Sequence, residues 1–161
     1  MSPLTLHLPD AAATEGCGAR IAPLLAGGMI VTLQGDLGAG KTTLVRGLLR
    51  ARGVEGPIKS PTYALVEHYP VSSLYFYHFD FYRFMKPDEW DAAGFSDYFR
   101  DDAVCIVEWP ERAGDRLPRA DLALSLRYGA SDRGRDLVAR AISASGERCL
   151  TALAGVGPTR R

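Results

Sequence analysis

Residues 29–43 read MIVTLQGDLGAGKTT, and they contain the strongest indication of the fold class. Its first part, residues 29–33, is a continuous apolar run with β-branched residues, which predicts a strand buried on both faces, as in a parallel sheet. Its second part matches the phosphate-loop pattern G-x-x-x-x-G-K-[ST]. Residues 41–52 then follow with a helical pattern that ends at Gly53. The order strand, glycine loop, helix predicts an α/β domain that binds phosphate groups.

Each part of the loop has a physical purpose. Its glycines allow backbone angles that a side chain would forbid, so that N–H groups can turn inward and surround an anion. The helix that follows presents its positive N-terminal end to the same phosphates. Lys41 is expected to reach the β- and γ-phosphates, and the Thr42 hydroxyl to bind Mg²⁺. The residues predicted to bind the nucleotide here are Asp36, Leu37, Gly38, Ala39, Gly40, Lys41, Thr42 and Thr43.

The remaining chain predicts a mixed sheet. Alternating or continuous apolar runs predict further strands at 4–8, 63–69, 74–81, 103–107, 122–126 and 137–141. Helical patterns cover 11–26, 87–93 and 145–154, with Pro23 weakening the first of these helices. We therefore expect one P-loop NTPase-like domain over residues 1–155, with a parallel and antiparallel sheet flanked by helices. Residues 156–161 are expected to be a flexible tail.

Composition excludes several classes of protein. The 161 residues carry 19 Lys and Arg against 19 Asp and Glu, so the formal net charge is zero and argues against a protein whose main partner is a nucleic-acid backbone. The three cysteines are far apart and show no C-x-x-C spacing, which favours reduced thiols over disulfides or zinc. With no signal-peptide pattern and no membrane-length apolar run, a cytoplasmic location is expected.

Two acidic residues follow apolar strands. Glu108 follows the continuous run 103–107, and Asp80 follows residues 74–79. A triphosphate site needs an acid for Mg²⁺, usually at the end of a buried strand. We assign Glu108 to the metal and Asp80 to the attacking water, although either carboxylate at a strand end is often only solvated. His78 shares the face of Asp80 by its even spacing, and is either a site residue or a packed sheet histidine.

Two further positions each have more than one interpretation. Thr62 lies about 20 residues after the loop, in Ser60-Pro61-Thr62-Tyr63. A threonine in such a loop can sense the γ-phosphate, but the segment can equally be a turn that enters a strand. Trp109 can cover the nucleotide, meet a partner or cap the core.

Four segments together carry a family resemblance. They are residues 35–43, 60–63 (SPTY), 78–83 (HFDFYR) and 107–110 (VEWP). In order and spacing these segments resemble the TsaE (YjeE) family, and the resemblance extends from residue 9 to about residue 145.

The resemblance implies a setting as well as a fold. It implies a P-loop ATPase that uses ATP and Mg²⁺ and is needed for the threonylcarbamoyl modification of adenosine 37 in tRNA. The carbamoyl transfer belongs to partner proteins, TsaD with TsaB, and the TsaE-like subunit hydrolyses ATP to reset that pair. The resemblance also implies weak activity alone. We further expect a monomer when free and, from the zero net charge, only indirect contact with tRNA.

Roles carry over residue by residue. Catalytic roles fall on Asp80, Lys41 and Thr62, and metal roles fall on Thr42 and Glu108. Thr14 and Arg135 correspond to positions near the base and ribose. The hairpin before Gly134 is longer than the family pattern, so that Arg133 competes with Arg135 for that role.

Two other functions fit a phosphate loop. A small-molecule kinase needs an arginine-rich lid, but the arginines within 112–119 and 127–140 are interpreted as solvated faces. A GTP-binding switch usually selects its base with an Asn-Lys-x-Asp segment, which the sequence lacks. ATP is therefore the expected nucleotide.

Overall fold

A computed structural model describes residues 2–130 and 134–155. Within these residues the chain forms a seven-stranded sheet in the order β1-β7-β6-β2-β5-β4-β3. The strands are β1 Leu4–Leu8, β2 Ile30–Gln34, β3 Val66–Val71, β4 Leu74–Asp80, β5 Ala103–Glu108, β6 Leu122–Tyr128 and β7 Arg135–Ala141. The helices are α1 Ala11–Ile21, α2 Lys41–Ala51, α3 Asp88–Ala93 and α4 Ala144–Gly155, with 3₁₀ turns at Ala22–Leu24, Phe95–Tyr98 and Pro110–Arg116.

The centre of the sheet is parallel and its edges are antiparallel. Strand β2 runs parallel to both β5 and β6, and β4 runs parallel to β5. The pairs β3–β4, β6–β7 and β1–β7 are antiparallel. The mixed α/β architecture predicted from the sequence is confirmed. Because parallel strands end at one edge, the carboxyl ends of β2, β4 and β5 meet there, where ligands of such sheets bind.

The two faces of the sheet have different cores. One face is aliphatic and packs against α1, α2 and α4, with Leu44, Leu48 and Leu122 fully buried. The other face is aromatic and contains Phe79 and Trp90. Both faces are thus covered, which explains the continuous apolar sequence of β5.

Helices α1 and α2 approach each other through two glycines. A Cβ on Gly18 would lie 2.8 Å from the backbone nitrogen of Leu48. A Cβ on Gly47 would lie 2.6 Å from the Cα atom of Glu15. Both distances are too short for a side chain, so the close packing that holds the phosphate-loop helix against α1 depends on glycine at these positions.

Several predicted boundaries are wrong, for local reasons. Helix α1 ends at Ile21 rather than at residue 26, since Pro23 lacks the N–H that would continue it. Strand β3 begins at Val66 rather than at residue 63. A turn occupies the preceding segment, with the Leu65 N–H donating to the Pro61 carbonyl at 2.8 Å and Leu65 at φ +72°. Strand β4 ends at Asp80, so Tyr82 does not continue its face.

Two further predictions concern residues that the structure does not describe. The proposed tail at 156–161 and Arg133 lie outside the described residues. No helix in the ranges 2–130 and 134–155 is long and apolar enough to cross a membrane.

Candidate functional site

The glycine loop lies between the end of β2 and the start of α2. Gly38 and Gly40 have φ values of +79° and +108°, which side chains rarely adopt. Helix α2 begins at Lys41. The loop and the first turn of the helix therefore have the backbone conformation that the motif predicts for phosphate binding.

Lys41 lies folded over this loop. Its Nζ donates to the carbonyl oxygens of Gly35 and Asp36, the latter at 3.0 Å, and lies 4.5 Å from the centre of the Trp109 ring. Burial lowers the pKa of Lys41 below its usual value, while the negative charges of Glu108 and Asp80 oppose that change. A buried ammonium group surrounded by carboxylates and carbonyls is suited to receive an anion in place of its present partners.

Thr42 is linked to Glu108. The Thr42 hydroxyl donates to Glu108 Oε2 over 2.9 Å, and His78 Nε2 lies 2.7 Å from the same oxygen. His78 and Glu108 are buried. Glu108, which the sequence assigns to the metal, thus accepts a hydrogen bond from the Thr42 hydroxyl, which the motif assigns to the same metal.

Asp80 lies beside Glu108 on the neighbouring strand. The two residues are register partners in the parallel β4–β5 pair, so that their side chains share a face. Ser60 donates to Asp80 Oδ2, and the Thr62 hydroxyl lies 3.4 Å from the same oxygen. The N–H of Tyr82 donates to Oδ1 at 2.9 Å. The Ser60–Thr62 segment is thereby held against the strand end.

These groups surround one cleft of about 330 Å³. Its described lining includes nine of the predicted residues: Leu37, Gly38, Gly40, Lys41, Thr42, Thr43, Thr62, Asp80 and Glu108. Ser60, Tyr82 and Trp109 complete the lining, and the lining contains no arginine within the described chain. Of the remaining loop residues, Ala39 is buried and Asp36 contributes its carbonyl to Lys41.

Thr14 and Arg135 line a neighbouring cleft of about 230 Å³, which shares Gly38, Gly40 and Thr43 with the first. Both residues therefore lie beside the loop. The Arg135 guanidinium, however, donates to the carbonyls of Gly38 and Ala39 at 3.1 and 3.0 Å. Arg135 thus contacts the loop backbone directly, and a contact with base or ribose stays a prediction.

The arginine-rich stretches are not simply solvated. Arg112 donates to the carbonyls of Tyr82 and Phe84, at 2.7 and 3.3 Å. Arg116 is paired with Asp88 and Asp91. These contacts lie at the surface, where Arg112 is exposed, so the stretch 112–119 remains a solvated face whose guanidinium groups also bind carbonyls and carboxylates of the chain itself.

The donor set suits a metal that is shared with phosphates. Among the described residues no group of three or more His, Cys, Asp or Glu side chains could hold a metal ion. Mg²⁺ typically takes only one or two protein oxygens and completes its shell with substrate phosphates and water. The hydroxyl of Thr42 and the carboxylate of Glu108 are hard oxygen donors of that kind, so these residues fit Mg²⁺ beside a triphosphate.

Comparison with known proteins agrees with this geometry. The family model described as "Threonylcarbamoyl adenosine biosynthesis protein TsaE" matches residues 8–137. The chain belongs to the TsaE family. Membership connects it with the biosynthesis of threonylcarbamoyladenosine in tRNA.

Curated TsaE proteins resemble the chain over most of its length. The Haemophilus influenzae protein, named as a tRNA threonylcarbamoyladenosine biosynthesis protein, is 41% identical over 145 residues, covering 87% of this chain and 92% of the relative. The Mycobacterium tuberculosis protein is 37% identical over 137 residues, covering 80% and 82%. A crystal structure of Bacillus subtilis YdiB superimposes with a TM-score of 0.81 at 26% identity, covering 96% of this chain and 95% of that one.

Three residues of this candidate site have contacts that the sequence does not predict. The sequence assigns no role to Ser60 beyond its place in the 60–63 segment, yet its hydroxyl donates directly to Asp80. The sequence allows His78 to be either a site residue or a packed sheet histidine, and its contact with Glu108 favours the first interpretation. The available signal was spacing, since His78 lies two residues before Asp80 on one strand. Trp109 lines the cleft and lies against Lys41.

Proposed function

We propose that this TsaE-family chain is a Mg²⁺-dependent ATPase that acts on a TsaD–TsaB-like transferase pair in the threonylcarbamoylation of adenosine 37 in tRNA. The observation that carries the proposal is the side-by-side position of Asp80 and Glu108 at the mouth of the phosphate loop. Binding alone needs one acid for the metal. A second buried acid in the same cleft supports hydrolysis.

The binding role falls on the loop and on Lys41. We expect N–H groups of the loop and of the first turn of α2 to bind phosphate oxygens. Lys41 would exchange its carbonyl partners for the β- and γ-phosphates, with a stronger charge-assisted interaction. Thr42 and Glu108 would hold Mg²⁺, which when bound neutralises charge that develops on the phosphates.

The hydrolytic role falls on Asp80. Its carboxylate accepts hydrogen bonds from Ser60, from Thr62 and from the Tyr82 N–H, so that it is held at a fixed place in the cleft. A carboxylate there can accept a hydrogen bond from a water molecule and orient it for attack. Because Thr62 contacts the same carboxylate, rearrangement of the 60–63 segment on a γ-phosphate would change the position of Asp80.

Family membership and the charge of the chain support the proposed partner. The zero net charge supports indirect contact with tRNA, through the transferase pair, over direct binding. We propose a cytoplasmic, monomeric protein whose ATPase activity is weak until the pair binds.

The test is ATP hydrolysis by the whole chain, measured with and without the TsaD–TsaB pair and tRNA. We expect Mg²⁺-dependent release of phosphate that rises when the pair is added. Lys41→Ala should weaken ATP binding about ten- to a hundredfold, since a charge-assisted contact is lost. The matched control is Lys86→Ala, which removes an equal charge from an exposed position.

The competing functions give different results in the same assay. Transfer of phosphate to a small-molecule acceptor, instead of release, would support a kinase and overturn the proposal. Tighter binding of GTP than of ATP would contradict the assignment of the nucleotide. Hydrolysis unaffected by the pair would leave the ATPase but contradict its partner.

A further inference from the structure

The outer side of the phosphate loop is held by the β6–β7 hairpin. The Tyr128 hydroxyl donates to the carbonyl oxygen of Leu37 at 2.8 Å. Arg135 donates through Nη2 to the carbonyl of Gly38 at 3.1 Å and through Nε to that of Ala39 at 3.0 Å. Three consecutive carbonyls of the loop are therefore bound by two side chains that lie more than 80 residues further along the chain.

The two side chains also support each other. The Arg135 guanidinium lies 4.4 Å from the centre of the Tyr128 ring, in a cation–π arrangement. The residues are register partners in the antiparallel pair β6–β7. The planar fork of arginine suits two neighbouring carbonyls, which a lysine could not bind in the same way.

The orientation of a carbonyl sets the orientation of the N–H beyond it. In a trans peptide the C=O and N–H bonds point in opposite directions. The peptides that begin with the Leu37, Gly38 and Ala39 carbonyls end with the N–H groups of Gly38, Ala39 and Gly40. Holding the three carbonyls toward the hairpin thus turns these N–H groups the other way. The Ala39 N–H closes a turn on the Asp36 carbonyl at 3.0 Å, and Gly38 and Gly40 line the cleft.

We propose that Tyr128 and Arg135 are positioning residues that prearrange the Gly38 and Gly40 N–H groups of the phosphate loop for the triphosphate, by holding the Leu37 and Ala39 carbonyls. The inference rests on the proposed nucleotide-binding function, and it adds a role for residues outside the loop motif. A charged donor on a carbonyl also polarises the peptide, so the N–H on the far side becomes a better donor to an anion. Arg135 would accordingly act on the phosphates through the loop backbone rather than by touching base or ribose.

Tripolyphosphate separates these two roles, because it has neither base nor ribose. We would measure binding of Mg²⁺–tripolyphosphate and of Mg²⁺–ATP to the full chain and to Arg135→Leu, by calorimetry. The positioning role predicts that both ligands bind roughly ten- to a hundredfold more weakly to the variant. Weaker binding of ATP with unchanged binding of tripolyphosphate would assign Arg135 to the nucleoside and overturn the proposal.

Two further variants control for charge and for folding. Arg127→Leu removes the same charge from an exposed position on the same hairpin, and should bind both ligands as the unchanged chain does. Tyr128→Phe removes one hydroxyl and keeps the ring, and should weaken both ligands less than Arg135→Leu does. If Arg127→Leu weakened the binding of both ligands as much as Arg135→Leu does, the effect would be explained by net charge alone, and the proposal would be overturned.

A measurement without ligand tests the loop directly. In ¹⁵N-labelled protein, Arg135→Leu and Tyr128→Phe should shift the amide resonances of Gly38 and Gly40, while Arg127→Leu should not. Unchanged amide resonances would overturn the proposal even if ATP binding were weaker. If the unchanged chain binds neither ligand, the proposed nucleotide function fails first. If it binds both and Arg135→Leu does as well, only the positioning role fails.

Discussion

His78 Nε2 lies 2.7 Å from Glu108 Oε2, and both side chains are buried. The same oxygen accepts the hydrogen bond of Thr42. Among the described residues, the second ring nitrogen of His78 has no hydrogen-bond partner, so that the contact with Glu108 is the polar contact that orients the ring. Because the donor must face the carboxylate, Nε2 carries a proton in this arrangement.

Replacing His78 should therefore change how the site uses Mg²⁺. We expect His78→Leu to raise the Mg²⁺ concentration needed for half-maximal ATP binding by about tenfold, because outer hydrogen bonds hold a metal-site carboxylate in place. His78→Gln keeps an N–H donor of similar reach and should recover part of the loss. Titration of Mg²⁺ at fixed ATP measures both. An unchanged requirement in the leucine variant would show that Glu108 does not need this contact.

Asp80→Asn should separate binding from turnover. The amide keeps one oxygen, which can still accept from the Tyr82 N–H, and its NH₂ group can donate to the Ser60 hydroxyl oxygen, but the charge that orients water is lost. We expect ATP binding to remain within about threefold and hydrolysis in the presence of the partner pair to fall by about a hundredfold or more. Asp101→Asn, at an exposed position, is the control for charge. Normal hydrolysis by Asp80→Asn would remove Asp80 from the mechanism.

Gly18→Ala should destabilise the fold. The added methyl group would overlap the backbone of α2 near Leu44 and Leu48, so the two helices must separate. We expect a loss of about 1–3 kcal/mol in the free energy of unfolding, as for other overpacked sites. Gly16→Ala on the same helix has open space and should stabilise by up to about 1 kcal/mol. Urea unfolding of both variants is the measurement, and equal stabilities would contradict the close packing.

The buried thiols should be unreactive in the native state. Burial raises the pKa of Cys17 to about 11 and that of Cys105 to about 12. Since the thiolate is the reactive form, both should resist a thiol reagent at pH 8 until urea unfolds the chain. Rapid labelling of Cys17 or Cys105 in native buffer, identified by mass spectrometry, would contradict their burial.

The raised pKa of Cys17 also predicts a pH dependence. Below pH 9 the thiol is protonated in both states and the fold keeps its full stability. Between pH 9 and about 11 the unfolded chain loses this proton while the native chain keeps it, so the free energy of unfolding falls as pH rises. The expected fall is about 2–3 kcal/mol from this thiol. Urea unfolding of Cys17→Ala across that range should show a shallower decline.

Much of the site was visible in local sequence. The glycine loop, β2 and α2 are encoded by consecutive residues, because apolar runs, glycines and helical periodicity act on neighbouring backbone. The acids Asp80 and Glu108 could be found because each follows a recognisable strand. The predicted end of α1 was wrong because Pro23 interrupts its regular hydrogen bonds. The predicted start of β3 was wrong because a turn precedes Val66.

Local sequence patterns are enough to predict a phosphate loop, an α/β class and two acids that follow apolar strands. That Asp80 and Glu108 are neighbours could be learned only from the three-dimensional structure, since it depends on the register of β4 against β5. The same holds for Arg135, whose contact with the Gly38 and Ala39 carbonyls requires the β6–β7 hairpin to lie beside the loop. Strand order and register join residues that are far apart in the chain, and no local pattern records those pairings.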